Sequence, residues 1–302
     1  MSVGPGRNPS PAASAEAHRE LVARLFPELG LDPFEPVAGG WTCDTYLAGG
    51  AWMVQLPRSP YAEERLRRQI ELLPELGREV SSAVPAPELV SLDPVCMVYR
   101  AIEGVRCDAI TADGMWPERL GRFCYDLHMT PPEFLGMRAT SAAAVRDARF
   151  EGWSRLRDAA EPYLASGEVG ATSSAIEAIF ADPTAWSFAP CVTHGDLVPE
   201  HVLVSSSGDL AGVLDWEEVG MDDPARDFAW FLHAAPSEGE RMLAAYGGAP
   251  DAGFLRRAAL WFVLMPLQEL RHGLELGRAE LVTSGADAFL ERLGKLDAVR
   301  GL

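Results

Sequence analysis

The sequence predicts an α+β fold in which a strand-rich N-terminal part is followed by a larger, mostly helical part. Three observations predict it. Short apolar runs at residues 51–57, 88–90 and 96–99, punctuated by Gly and Pro, fall within the first third of the 302-residue chain and have the length and bounding residues of strands. Beyond Gly104, apolar residues recur at helical spacing, as at Leu120, Phe123, Cys124 and Leu127. Inside that helical part, two apolar runs at 202–204 and 211–214 are joined by the turn residues 205–209, which is the pattern of a β-hairpin.

Residues 1–14, rich in Gly, Pro, Ser and Ala, predict a flexible tail. Ala17, Leu21, Val22 and Leu25 then share one face of a helix over 15–25. Gly39 and Gly40 open a turn before the strand at 51–57. Ser59 and Pro60 read as the N-cap and first position of the next helix. Residues 15–103 are expected as an N-terminal lobe and 104–302 as a C-terminal lobe. In the latter, helices are expected over 141–165, 173–180, 254–276 and 285–299. Asp223-Pro224 supplies a further helix start, with a capping carboxylate followed by proline.

Composition bounds the function. Apolar residues make up 48% of the chain, which is ordinary for a globular protein. The five cysteines, Cys43, Cys96, Cys107, Cys124 and Cys191, form no C-x-x-C pair, so reduced thiols in a cytoplasmic protein are expected and a zinc site is not. The first residues lack the apolar core of a secretory leader. The longest apolar run, 258–267, is too short to span a bilayer. A net charge of −18 argues against nucleic acid, whose phosphates it would repel, and favours a cationic small-molecule substrate.

Chemistry concentrates at the hairpin. Asp196 precedes its first strand and Asp215 follows its second, so pairing the strands brings two carboxylates together. Such a pair suits metal-assisted phosphoryl transfer, in which one carboxylate orients an attacking hydroxyl and the other holds the cation. Asp196 read alone could be a turn aspartate bonding its own backbone. Asp215 lies between Leu214 and Trp216, where an unpaired charge is costly to bury.

His194-Gly195-Asp196, then His201 five residues on, then Leu214-Asp215-Trp216 together resemble the catalytic core of the aminoglycoside phosphotransferase family of antibiotic kinases, most closely its macrolide phosphotransferases. The resemblance implies a bilobal protein-kinase-like fold and transfer of the γ-phosphoryl group of ATP or GTP to a hydroxyl of an antibiotic: a macrolide first, an aminoglycoside, peptide or nucleoside antibiotic next. It implies Asp196 as the catalytic residue and Asp215 with His201 as metal ligands. His201 stands where the family usually has asparagine; it either ligates Mg2+, making the site more tolerant of Mn2+, or only packs. His194 and Asp227 are implied as structural braces.

By the same resemblance, the nucleotide meets Gly39, Gly40 and Thr42 in the flap, and the backbone of Val98, Tyr99 and Ala101 at the hinge; an ordinary sheet edge would fit those last letters equally. Asp44 in the flap suits phosphates only if its carboxylate points away. The family's phosphate-gripping lysine falls on Gln55 and that lysine's glutamate partner near Gln69, with Arg58, Arg67 or Arg68 a candidate to restore the missing charge. Glu217, Glu218 and Asp222 are candidates to face a substrate amine. A monomer or weak dimer without membrane contact is expected. Two readings stand beside this one: a weak or inactive nucleotide-binding homologue, which the two glutamines favour, and a kinase of a metabolic alcohol such as homoserine or choline. A metal-dependent phosphate-ester hydrolase could use the same carboxylates.

Overall fold

Short N-terminal strands that bury Cys43, Tyr46, Ala48, Val54, Leu56 and residues 95–99 build one five-stranded antiparallel sheet. The structure is a computed structural model that describes residues 11–38, 40–109, 114–163 and 166–299. It divides into two compact units, the first made of the residues up to Arg78 with Ala83–Glu103, the second of Glu79–Ser82 and everything from Gly104 onward.

The first unit opens with α1 (Pro11–Leu25). This helix starts four residues before the expected position, so residues 11–14 are helical rather than tail, and residues 1–10 lie outside the described residues. Proline is tolerated at a first helical position and the following alanines favour helix. The strands are β1 (Phe34–Pro36), β2 (Cys43–Ala48) and β3 (Trp52–Pro57), then, after α2 (Pro60–Glu79), β4 (Leu89–Leu92) and β5 (Val95–Arg100). They lie in the order β1-β2-β3-β5-β4. Val22 of α1 packs with Tyr46, Ala48, Val54, Leu56, Cys96 and Val98 of the sheet. Helix α2 begins where Ser59 caps it, its Oγ accepting from the Ala62 N–H at 3.2 Å, and buries Leu66, Gln69, Leu72, Leu73 and Leu76.

In the second unit, β6 (Val105–Arg106) precedes three helices, α3 (Trp116–Met129), α4 (Ala142–Ala160) and α5 (Ser166–Ala181). Helix α5 begins seven residues before the expected position. Four short strands follow: β7 (Cys191–Thr193), β8 (Val202–Val204), β9 (Leu210–Val213) and β10 (Gly220–Asp222). The hairpin forms with Val202 opposite Val213 and Leu203 opposite Gly212, and a bulge follows Leu203. The chain closes with α6 (Ala229–Ala234), α7 (Pro236–Ala245), α8 (Phe254–Leu264), α9 (Pro266–Leu276) and α10 (Ala279–Val299). The single helix expected over 254–276 is two, because Pro266 cannot donate the hydrogen bond that would continue α8. Gly277, at φ 65°, ends α9.

Arg257 of α8 is fully buried and organises its surroundings. It donates to Asp223 (2.8 Å), to both oxygens of Asp251 (2.7 Å each) and to the Ala185 carbonyl (2.6 Å). Among the described residues, no helix is long and apolar enough to cross a membrane, and all five cysteines are free thiols.

Candidate active site

The loop from β7 to β8 carries His194, Gly195, Asp196 and His201, and a single buried carboxylate fixes its start. Asp227, fully buried, accepts the His194 N–H at 2.9 Å on one oxygen and the Gly195 N–H at 2.8 Å on the other. His128 Nε2 meets the first of these oxygens at 3.1 Å. Burial works against ionising Asp227, but His128, then His194 and the Gly195 N–H, outweigh it and hold its pKa below the ordinary value.

Gly195 is required here for two reasons. Its φ is +83°, and a Cβ would lie 2.6 Å from the Glu218 carbonyl oxygen. Its own carbonyl accepts from Arg226 Nη2 at 2.5 Å. Arg226 also pairs with Asp222, on the same carboxylate oxygen that Arg149 of α4 engages.

His194 is wholly buried, and its ring is locked. Nε2 donates to the Leu214 carbonyl at 2.8 Å, which leaves Nδ1 to accept the Asp196 N–H at 3.3 Å. Burial drives its pKa down to about 4, so it is a neutral strut that ties the loop between β7 and β8 to the end of the hairpin.

His201 stands between the two aspartates. Its Nδ1 donates to the Asp196 backbone oxygen at 2.8 Å, so in the neutral ring the lone pair is on Nε2. That nitrogen lies 3.4 Å from Asp215 Oδ2, while Nδ1 is 3.9 Å from Asp196 Oδ2. The hairpin thus sets Asp196 and Asp215 on opposite sides of one imidazole. Burial lowers the His201 pKa, but Asp215 and Asp196 together more than reverse it, and the net shift is upward. Burial, opposed by His201 and reinforced by Asp215, lifts the Asp196 carboxyl to about 6. Asp215 has φ 62°, and no other non-glycine among the described residues has a positive φ. Backbone strain of this kind is kept where a side chain must point in one direction.

Two expectations need correction. Asp222 cannot face a substrate amine: it is 2% exposed and engaged by Arg149 and Arg226. The Val98 carbonyl accepts from the Glu88 N–H, and the Ala101 N–H donates to the Ala51 carbonyl, both at 2.9 Å. Those two hinge groups are therefore taken by the sheet, because β5 is an interior strand. Gln55 lies on β3 opposite Thr45 and Met97, and its buried Oε1 has no hydrogen-bond partner, while Gln69 is buried on α2.

The flap residues are held from within the same unit. Arg58 donates to Asp44 Oδ1 at 2.9 Å, to the Gly40 carbonyl at 3.0 Å and to the Trp41 carbonyl at 3.2 Å, and its N–H reaches the Thr42 carbonyl at 2.8 Å. Asp44 is thereby neutralised, and Arg58 is a clamp on the loop. Gly40 has φ +75°, Tyr99 is buried, and Gly39 lies outside the described residues. Glu217 and Glu218 are half-buried after β9, and Glu218 is close enough to Asp196, Arg149 and Arg226 to bear on their ionisation. Sequence reasoning missed Arg226 and Arg149; the only signal was the position of Arg226 directly before Asp227.

Known proteins are similar to this chain in sequence or in fold. Viomycin phosphotransferase of Streptomyces vinaceus is 26% identical over 292 residues, spanning 91% of this chain and 98% of that protein. The apoenzyme structure of macrolide 2'-phosphotransferase MphH from Brachybacterium faecium is 27% identical with a TM-score of 0.71, over 91% of this chain and 98% of that one. The GDP complex of an aminoglycoside 2'-phosphotransferase-IIIa, at 19% identity, superposes with a TM-score of 0.79 over 93% of this chain and 99% of that one, so the fold is the protein-kinase-like α+β fold expected. The model of the phosphotransferase enzyme family matches residues 33–262, a stretch that runs from the first strand through the loop and its Asp227 brace, and the chain belongs to that family.

Proposed function

We propose that this protein is an antibiotic kinase that moves the γ-phosphoryl group of ATP or GTP to a hydroxyl of its acceptor in the cytoplasm. The observation that carries the reading is the pair of carboxylates, Asp196 and Asp215, on either side of His201 in a loop braced by Asp227. Asp196 orients the acceptor hydroxyl and takes its proton. A carboxyl with a pKa near 6 is mostly ionised at neutral pH yet basic enough to serve.

Magnesium fits the remaining donors. The ion is ordinarily held by one or two carboxylates and by the phosphates themselves, and among the described residues no group of three His, Cys, Asp or Glu forms a protein-only cage. Asp215 would bind it, with His201 Nε2 beside that carboxylate, and when bound the ion would neutralise charge on the phosphates. A purine edge would be read past Ala101, where the backbone is no longer part of the sheet. Macrolides and viomycin-type peptides are the first acceptors to test, because two relatives that span nine tenths of the chain bear those names, and a net charge of −18 suits a cationic one.

The test is mass spectrometry of macrolide, viomycin and aminoglycoside panels incubated with protein, magnesium and ATP or GTP. A phosphate adduct on one class, absent with Asp196→Asn, is the expected result. Nucleotide binding without transfer to any acceptor would favour the second reading, a nucleotide-binding homologue without turnover, which the neutral Gln55 and Gln69 support.

A further inference from the structure

The second unit holds a cleft of about 640 Å³ that the proposed chemistry does not use. Its floor is formed by buried or half-buried His128, Trp186, Cys191, Tyr246 and Phe254, and its rim by exposed Met129, Ala189, Ala249 and Pro250. Neither Asp196, His201 nor Asp215 lines it. A cavity of this size accommodates a drug-sized molecule.

The titratable groups facing it are already satisfied. Both oxygens of Asp251 are taken by Arg257, and one also accepts the Gly253 N–H. The two ring nitrogens of His128 meet Tyr246 Oη at 2.9 Å and Asp227 at 3.1 Å. Burial pushes the Cys191 thiol and the Tyr246 hydroxyl upward, so both are neutral. With no unpaired charge to meet an ion, and with rings from Trp186, Phe188, Tyr246 and Phe254 in its wall, the cleft is suited to an uncharged, flat ligand.

The floor is also wired to the catalytic loop. Tyr246 touches His128, His128 touches Asp227, and Asp227 holds the backbone N–H groups of His194 and Gly195. We propose that this cleft is a second small-molecule site for a neutral aromatic ligand, and that its occupant alters turnover through Tyr246, His128 and Asp227. The coupling rests on the phosphotransfer reading; the binding does not.

The probe is N-phenylnaphthylamine, neutral and fluorescent in apolar surroundings, titrated into the whole protein with Trp186 as an energy donor. Saturable one-to-one binding is expected, and it is lost in Ala189→Trp and Ala249→Trp, two rim variants that fill the cleft and whose melting curves report folding. Turnover of the accepted antibiotic then changes by about fivefold on saturation, and Tyr246→Phe binds the probe but loses that response. Absence of saturable binding, or equal binding in both folded rim variants, overturns the site. Binding with unchanged turnover, or an equal response in Tyr246→Phe, overturns the coupling. If no acceptor is ever phosphorylated, the titration still decides whether the site exists.

Discussion

Asp196 can accept a proton only as a carboxylate, and its environment sets when that holds. Because the structure lifts it to about 6, kcat/KM should rise with pH through about 6 and level off above it, a profile measurable with buffered mixtures at constant ionic strength. A profile flat from pH 5 to 8 would remove Asp196 from that role. Asp196→Asn keeps the size of the side chain and loses the base, so kcat should fall by about 10²–10⁴-fold with nucleotide affinity nearly unchanged by calorimetry. Gln55 makes a different prediction, since its unpartnered oxygen marks a place where the strand offers no charge to a phosphate. Gln55→Lys combined with Gln69→Glu should tighten nucleotide binding by about tenfold, the worth of one charge-assisted hydrogen bond. An unchanged dissociation constant would mean that β3 does not meet the phosphates.

Elements decide whether those residues meet, and they do so through buried ion pairs. Asp222 of β10 and Asp227 just before α6 both have folded pKa values below the ordinary 3.8. Their stabilisation is therefore complete above about pH 4 and is lost as pH falls through their lower folded values, so acid unfolding of Asp227→Asn should show a weaker pH dependence than that of the native protein. At neutral pH the same variant leaves two backbone N–H groups and His128 facing an amide, at a cost of about 2–3 kcal/mol in denaturant titrations. Much of this site was legible in the letters. The two apolar runs and the turn residues between them place Asp196 and Asp215 at the ends of one hairpin, and the roles given to them come from the family resemblance. The grip of Arg226 on Gly195, 31 residues away, and the pairing of Arg149 with Asp222, 73 residues away, are products of packing that no local pattern specifies. For the same reason the letters offer Asp222 as a candidate to face a substrate amine, which its burial rules out. The left-handed backbone of Asp215 was equally hidden, because aspartate tolerates that region but occupies it at only a minority of positions.

The whole molecule acts through its field, since a net charge of −18 surrounds whatever approaches it. At low salt the screening length is about 30 Å and at molar salt about 3 Å, so the field reaches a diffusing substrate in the first case and not in the second. Two acceptors that are both turned over but differ in charge separate this effect from binding of the anionic nucleotide, which is common to both and can be kept saturating. For the cationic acceptor, kcat/KM should fall by about tenfold or more as salt rises, because steering raises encounter rates by at least that factor. For the neutral acceptor it should stay nearly level. Equal slopes for the two would show that the acidic surface serves solubility alone and that acceptor choice is made entirely by contacts near Asp196.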